Sequence, residues 1–319
     1  MISSRIVPRL IVFLPLLLLA AGGCASIKPT KPAVKGEHIP GPFERGHIMN
    51  METGKTLSFD SFIKQLGTKR LVFIGETHDN PEHHLIQVQI LQALMAGHER
   101  PLTLAMEFFQ TTQQEVLDRY LEGALNEEAF LEKVGWHRSW GFHYHFYRPL
   151  IAMAKQRGSR ILAINAPHSI TRKVARHGLS SLKPEERSQL AKDVDLTNES
   201  HRAYVREVYG KHPHPKGLMR FDFFYEAQCV WEDTMAENIG TYLGENKQKM
   251  VVFTGNGHII KKFGIPDRTL KHARVDYATV VLFPLTDPLK IEKDTADYIW
   301  LTGGCSDRPP LPHSRTGVL

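Results

Sequence analysis

Five short, nearly unbroken apolar runs punctuate the chain: RLVFIGE (70–76), PLTLAMEFF (101–109), RILAINAP (160–167), KMVVFTGNGH (249–258) and YATVVLFPL (277–285). Runs of this length without polar alternation are what strands buried on both faces produce. Segments with helical spacing separate them. After the first run, Asn80 is a good N-cap with Pro81 at the first helical position, and LIQVQILQALMAG carries a helix to a stop near Gly97. After the second, QQEVLDRYLEG and EEAFLEKVG read as two helices, and RPLIAMAKQRG leads to the third strand with Gly158 as its stop. HIMN and the turn ETGK, ahead of LSFDSFIKQL, leave room for an antiparallel pair near the start. The alternation predicts an α/β fold: a mostly parallel twisted sheet flanked by helices.

The third and fourth runs lie about 80 residues apart, more than a single crossover needs. The excess, about 180–245, is polar and helical, with a His-Pro-His-Pro break and then a long helix predicted from Leu218 to Leu243. It reads as a helical insertion or cap subdomain.

The two ends carry no such pattern. Arg5 and Arg9 precede the apolar run IVFLPLLLLAA, then Gly22, Gly23 and Cys24 follow. The apolar core is too short for a comfortable permanent span, so residues 1–23 read as a signal peptide. Small residues leading into Cys24 resemble the bacterial lipobox, in which the thiol is acylated and becomes the new N-terminus. Ala25, with no aspartate there, points by the same resemblance to a lipid anchor in the outer membrane. Residues 24–44, with four prolines and two glycines, read as a lipidated tether, and 302–319 as a loose tail. The folded domain is expected over 45–301.

Composition narrows the classes. Hydrophobic residues make up 42% and charged residues 23%, an ordinary globular balance. The formal charge of +6 falls to +4 without Arg5 and Arg9, too mild an excess to argue for nucleic acid. Besides Cys24 only Cys229 and Cys305 occur, so no disulfide framework is expected; one pairing between them stays open, and Cys229 reads first as a buried thiol in a helix.

The chemistry gathers at the ends of the predicted strands. The first run ends at Glu76 and His78, the second at Glu107, the third at Asn165 and His168, and the fourth at Asn256 and His258. In an open parallel sheet these ends share one edge, where ligands bind. Burying two carboxylates there costs several kcal/mol unless a cation, a donor or a ligand compensates. Two ends share the form Gly-x-x-His, Gly75 to His78 and Gly255 to His258, where glycine lets the backbone turn sharply out of the strand. Glu76, His78, Glu107 and His258 could ligate a borderline divalent metal, or pair as base and orienting partner to activate water. Other signatures fail. Met49 stands where a phosphate loop ending in Gly54-Lys55-Thr56 needs its first glycine, and neither His-Glu-x-x-His nor Gly-x-Ser-x-Gly occurs.

GETHDNPEHH, the Met-Glu of LAMEFF, AINAPHSITRKVA, the pattern Gln228-x-x-Trp231-Glu232-Asp233-x-Met235-Ala236 and GNGHIIKKFGIP, in this order, resemble the ChaN family of haem-binding lipoproteins in the Tiki superfamily. That resemblance covers roughly 45–285. It implies an accessory to haem and iron uptake that binds haem at the sheet edge, as a homodimer, with an outer-membrane haem receptor as partner. Without Cys-x-x-Cys-His the haem would be held noncovalently. The resemblance also implies a tyrosine ligand to ferric iron. Tyr147 is the first choice, with Arg148 beside it as a propionate partner; Tyr204 and Tyr225 stay open. His78, His258, Asn165 and Gln228 complete the expected haem-binding set. His168 stands where many relatives would carry a basic residue, and His143, His145, His212 and His214 are further imidazoles that could supply a second ligand. Relatives in the superfamily and the erythromycin esterases imply the alternative, a hydrolase running on Glu76, His78, Glu107 and His258.

Overall fold

The structure, a computed structural model, describes residues 38–39, 41–211, 220–285 and 291–303. Cys24 with its signal peptide, Cys305, His212, His214 and the predicted helix start at Leu218 lie outside the described residues.

Eight strands form one sheet: β1 (Ile48–Asn50), β2 (Lys55–Leu57), β3 (Leu71–Glu76), β4 (Thr103–Gln110), β5 (Ile161–Asn165), β6 (Met250–Gly255), β7 (Tyr277–Pro284) and β8 (Tyr298–Thr302). Their spatial order is β2-β1-β8-β7-β3-β6-β4-β5. The five apolar runs are the parallel block β7-β3-β6-β4-β5. All six residues of β3 and of β6 are buried, the consequence of helices on both faces. The antiparallel pair at the start is present as β1 and β2. One strand was not anticipated: β8 runs parallel to β7 and antiparallel to β1, joining the hairpin to the block.

The helices are α1 (Phe59–Gly67), α2 (Pro81–Ala96), α3 (Gln114–Leu121), α4 (Glu127–Val134), α5 (Trp136–Ser139), α6 (Tyr144–Gln156), α7 (His168–His177), α8 (Pro184–Arg187), α9 (Glu199–Lys211), α10 (Phe221–Glu245) and α11 (Ile265–Thr269). Local chemistry sets their ends. The Asn80 side chain accepts from the Glu82 N–H at 3.1 Å, Pro81 opens α2 and Gly97 closes it. Asn126 caps α4 in the same way, and Gly135 ends that helix at φ 60°, a left-handed conformation that costs glycine no Cβ clash.

Two apolar cores flank the sheet. On one side Ile90, Leu94, Phe109, Phe130, Tyr147 and Ile151 meet Val72, Leu104 and Phe253. On the other, Met235, Ala236, Ile239 and Leu243 of α10 meet Phe73, Ala105, Ile164 and Val252. The expectation that residues up to 245 form an insertion or cap is therefore corrected. The second half of α10 lies on the sheet and is itself the crossover from β5 to β6; only the preceding segment with α8 and α9 is extra. The separation of the two runs showed that chain was in excess but not which helix made the crossover, which is decided by α10 docking its apolar face on the sheet. The stretch expected to be tether is partly docked: His38 bridges Glu292, and the Ile39 N–H donates to the Ile291 carbonyl at 3.1 Å. Among the described residues no helix is long and apolar enough to cross a membrane.

Candidate functional site

β3, β6 and β4 are adjacent and parallel, so their carboxyl ends open on one edge. Glu76 is the last residue of β3 and is paired in register with Gly255, the last of β6. The two Gly-x-x-His motifs therefore leave neighbouring strands at the same height. Their glycines are required by close approach rather than by an unusual φ. A Cβ on Gly75 would stand 2.2 Å from Asn256 Oδ1, and one on Gly255 would stand 3.0 Å from the His78 ring; Gly255 itself is extended, with φ −65°.

Glu76 is fully buried and carries three partners. His78 Nδ1 lies 2.8 Å from Oε1, the Tyr147 hydroxyl donates to the same oxygen at 3.1 Å, and His84 Nδ1 makes an ion-pair contact with Oε2 at 3.1 Å. Burial alone would raise this carboxyl, but the two imidazoles outweigh it and hold the group down at about 2. His78 in turn is lowered by burial and raised more by Glu76 and Glu107, for a net rise. Its ring rests against Trp140 and Phe142, each with centroids 5.0 Å away, and 27% of its side chain remains exposed.

Glu107 lies where the pairing of β4 with β6 ends after Met106, at an irregularity in the β4–β5 register. Its Oε2 accepts from Thr254 Oγ1 at 2.6 Å and from the Gly255 N–H at 2.7 Å, and its Oε1 faces His258 Nε2 at 3.4 Å. His258 Nδ1 faces Glu232 Oε1 of α10 at 3.2 Å. Burial works against charge on His258, but the two carboxylates flanking it push its pKa up to about 10, so it is an imidazolium at neutral pH. Glu107 and Glu232 are both held below the usual carboxylate range, against burial, chiefly by their histidines. Behind Glu232 lie His201 of α9, with Nε2 at 3.1 Å, and Arg268 of α11, which also pairs with Asp233.

The other expected residues divide. Asn165 is at the edge, donating to the Glu107 carbonyl at 2.9 Å, and its Oδ1 has no hydrogen-bond partner among the described residues. Gln228 is brought in as well, donating to Glu232 at 2.7 Å and lying 3.1 Å from His258. His168 is buried at the start of α7, where burial depresses its pKa. Two expectations are corrected. Arg148 does not join the cleft: it is exposed and held by both oxygens of Glu127 at 2.8 and 2.9 Å, because consecutive residues of a helix point about 100° apart and Tyr147 takes the inward direction. Tyr147 does not present its hydroxyl: it is fully buried against Phe108 and Trp136, and burial together with the Glu76 charge holds its phenol well above the ordinary value. Tyr225 is fully buried too, its hydroxyl donating to the Asn198 carbonyl at 3.3 Å. Tyr204 of α9 is half-buried, and its hydroxyl has no hydrogen-bond partner among the described residues.

Glu76, His78, Glu107 and His258 do meet, but as two Glu–His pairs. Among the described residues no group of three or more His, Cys, Asp or Glu is arranged to hold a metal ion. His84, Glu232, His201 and Arg268 are the members the sequence reading missed. Two signals were present. His84 falls in the first turn of the helix that Asn80 caps, which folds back over the strand end it follows, and Glu232 is four residues past Gln228, on the same helix face. His201 and Arg268 carry no local signal.

A family model described as haem-binding uptake, Tiki superfamily, ChaN matches residues 62–269. Among solved structures, ChaN of Campylobacter jejuni with cofacially bound haem aligns with a TM-score of 0.63 at 21% identity, covering 81% of this chain and 98% of that one. A mutant of the erythromycin esterase EreC in its open conformation aligns with a TM-score of 0.47 at 14% identity, over 76% of this chain and 77% of that one. The chloroplast protein RETICULATA-RELATED 5 of Arabidopsis thaliana is 23% identical over 274 residues, 78% of this chain. The match spans only 37% of that relative's length.

Proposed function

The chain belongs to the haem-binding uptake family, ChaN of the Tiki superfamily, and from that premise we propose that it binds haem noncovalently in the cleft at the carboxyl edge of its sheet. One observation carries the reading: the matched residues 62–269 contain both Gly-x-x-His motifs and every carboxylate and imidazole that the fold gathers there.

The groups at the cleft fit haem. Half-buried Phe142 offers aromatic surface beside the partly exposed His78, with buried Trp140 packed behind that ring, and Trp231 lies edge-on to His258 at 6.4 Å between centroids. Tyr204 is the one of the three candidate tyrosines with both solvent access and an unengaged hydroxyl among the described residues. Burial and the nearby Glu232 push its phenol up to about 12, so binding there would have to displace a proton. When bound, the haem would supply a ferric centre that a phenolate suits. Glu76, Tyr147 and His84 would keep His78 oriented, and the ionised carboxylates with protonated His258 would stiffen the floor.

In this reading the chain is an exported lipoprotein, acylated at Cys24, anchored in the outer membrane and accessory to haem and iron uptake, working as a homodimer with an outer-membrane receptor. What supports the export is the apolar segment and small residues before Cys24; what supports the uptake role is the family. Titrating the full chain with haem should give a saturable Soret band. In Tyr204→Phe the phenolate charge-transfer band should vanish, whereas Tyr147→Phe should keep it. A wild-type chain that gives no Soret band at micromolar haem defeats the proposal.

A second reading, water activated by a glutamate–histidine pair or by a metal those residues hold, draws on the 2.8 Å contact of His78 with Glu76. The charge states weigh against it. A general base works best with a pKa near the working pH, yet Glu76 sits near 2, Glu107 is depressed and fully engaged, and His258 keeps its proton. Turnover of an ester or peptide panel that disappears in Glu76→Gln would replace binding by catalysis.

A further inference from the structure

Outside the cleft, at the start of α6, two imidazoles stand together without a role. His143 is the N-cap residue of α6 but makes no capping hydrogen bond, and His145 follows two residues on. Both are exposed, and among the described residues neither ring has a hydrogen-bond or ion-pair partner. Their ring centroids are 5.2 Å apart at an interplanar angle of 31°. Both rings rest on Phe146, at 6.2 and 4.5 Å, and Phe146 is itself stacked on buried His84 at 4.6 Å. The pair therefore rides on a rigid aromatic support, on the chain segment that also supplies Phe142 to the cleft.

We propose that His143 and His145 form a bidentate imidazole site for a borderline transition-metal dication of the Zn²⁺, Cu²⁺ or Ni²⁺ kind. A metal–imidazole bond of about 2.0–2.1 Å puts each ring centre about 3.2 Å from the ion, so two ligands at a tetrahedral angle have centres about 5 Å apart. The observed centroid spacing of 5.2 Å agrees with that value. Water fills the remaining positions. The chemistry selects against hard cations, because no carboxylate belongs to the pair and Mg²⁺ and Ca²⁺ prefer oxygen donors. It also selects against haem iron, whose axial ligands approach from opposite faces, so two imidazoles side by side cannot share it. The site stands on this geometry alone and does not depend on the haem reading.

Isothermal titration of the full, haem-free chain in mild detergent tests it, with ZnCl₂, NiCl₂ and MgCl₂ as the probes. The expected result is one saturable Zn²⁺ event per chain, weakened about tenfold or more by either His143→Ala or His145→Ala, and no event with Mg²⁺. His212→Ala/His214→Ala and His78→Ala should leave that event in place. Both pair positions are exposed, so the variants should melt with the wild type, which separates lost ligation from lost folding. A His143→Ala/His145→Ala chain that takes up Zn²⁺ like the wild type, or a wild type with no saturable Zn²⁺ event, overturns the proposal.

Discussion

Gly75 shows how closely the cleft floor is packed. Just before Glu76, the β3 backbone lies against Asn256, whose side chain donates to the Leu282 carbonyl at 2.8 Å. That bond fixes Asn256, so a methyl group at position 75, placed 2.2 Å from Asn256 Oδ1, has nowhere to go. Gly75→Ala should cost on the order of 1–3 kcal/mol, the usual range for overpacking, and should disturb the His78–Glu76 pair, read as a lower urea midpoint and a shifted His78 NMR resonance. A Gly75→Ala chain as stable as the wild type would show that Asn256 can yield. The glycine itself was legible in the sequence, but its reason was not. A sharp turn is a local property, whereas contact with a side chain just past β6, about 180 residues away, is known only once β3 and β6 lie side by side.

At the scale of elements, β8 was not anticipated, and α10 was expected as a helix but placed in the insertion. The apolar run YIWLT is only five residues long and is followed at once by glycine, so nothing in it distinguishes a strand from the end of a loop. In the fold it has a neighbour on each side, β1 and β7, and its Ile299 is wholly buried among Met49, Val281 and the α10 side of the sheet. Ile299→Asp would bury a carboxylate without a partner, at a cost of several kcal/mol. Chemical denaturation should register that as loss of much of the folded stability; an unaffected midpoint would demote β8 to decoration. In α10, Glu232 and Asp233 are the buried partners of His258, His201 and Arg268, a role set by the packing of α9 and α11 against it. Polarity along a helix marks a wet face only when no other element supplies counter-charges.

For the molecule as a whole, the buried charge array makes stability depend on pH in both directions. Glu76 is held at about 2, below its ordinary 4.5, chiefly because His84 and His78 outweigh its burial. A depressed carboxyl contributes stability that is present above about 4.5 and lost as pH falls through 2. His258 is raised from 6.5 to about 10 by Glu107 and Glu232 against its burial. A raised imidazole contributes stability that is complete below 6.5 and lost as pH rises towards 10. Urea midpoints should therefore be highest between about 4.5 and 6.5 and decline on the alkaline side. His258→Gln should be less stable throughout and should flatten that alkaline limb. A wild type equally stable at pH 6.5 and pH 10 would mean that His258 is neutral in the folded protein.

Local pattern by itself determined the five buried parallel strands, the Asn80 and Pro81 helix start and the set of strand-end acids and imidazoles, because each depends on residues near one another in the chain. Motif order was enough for the family. Tertiary structure alone decided which of those groups pair, that Tyr147 is locked under Glu76 while Arg148 faces solvent, and that Glu232, His201 and Arg268 back His258. These outcomes turn on burial and on contacts between segments up to about 180 residues apart, and neither leaves a trace in a local window of sequence.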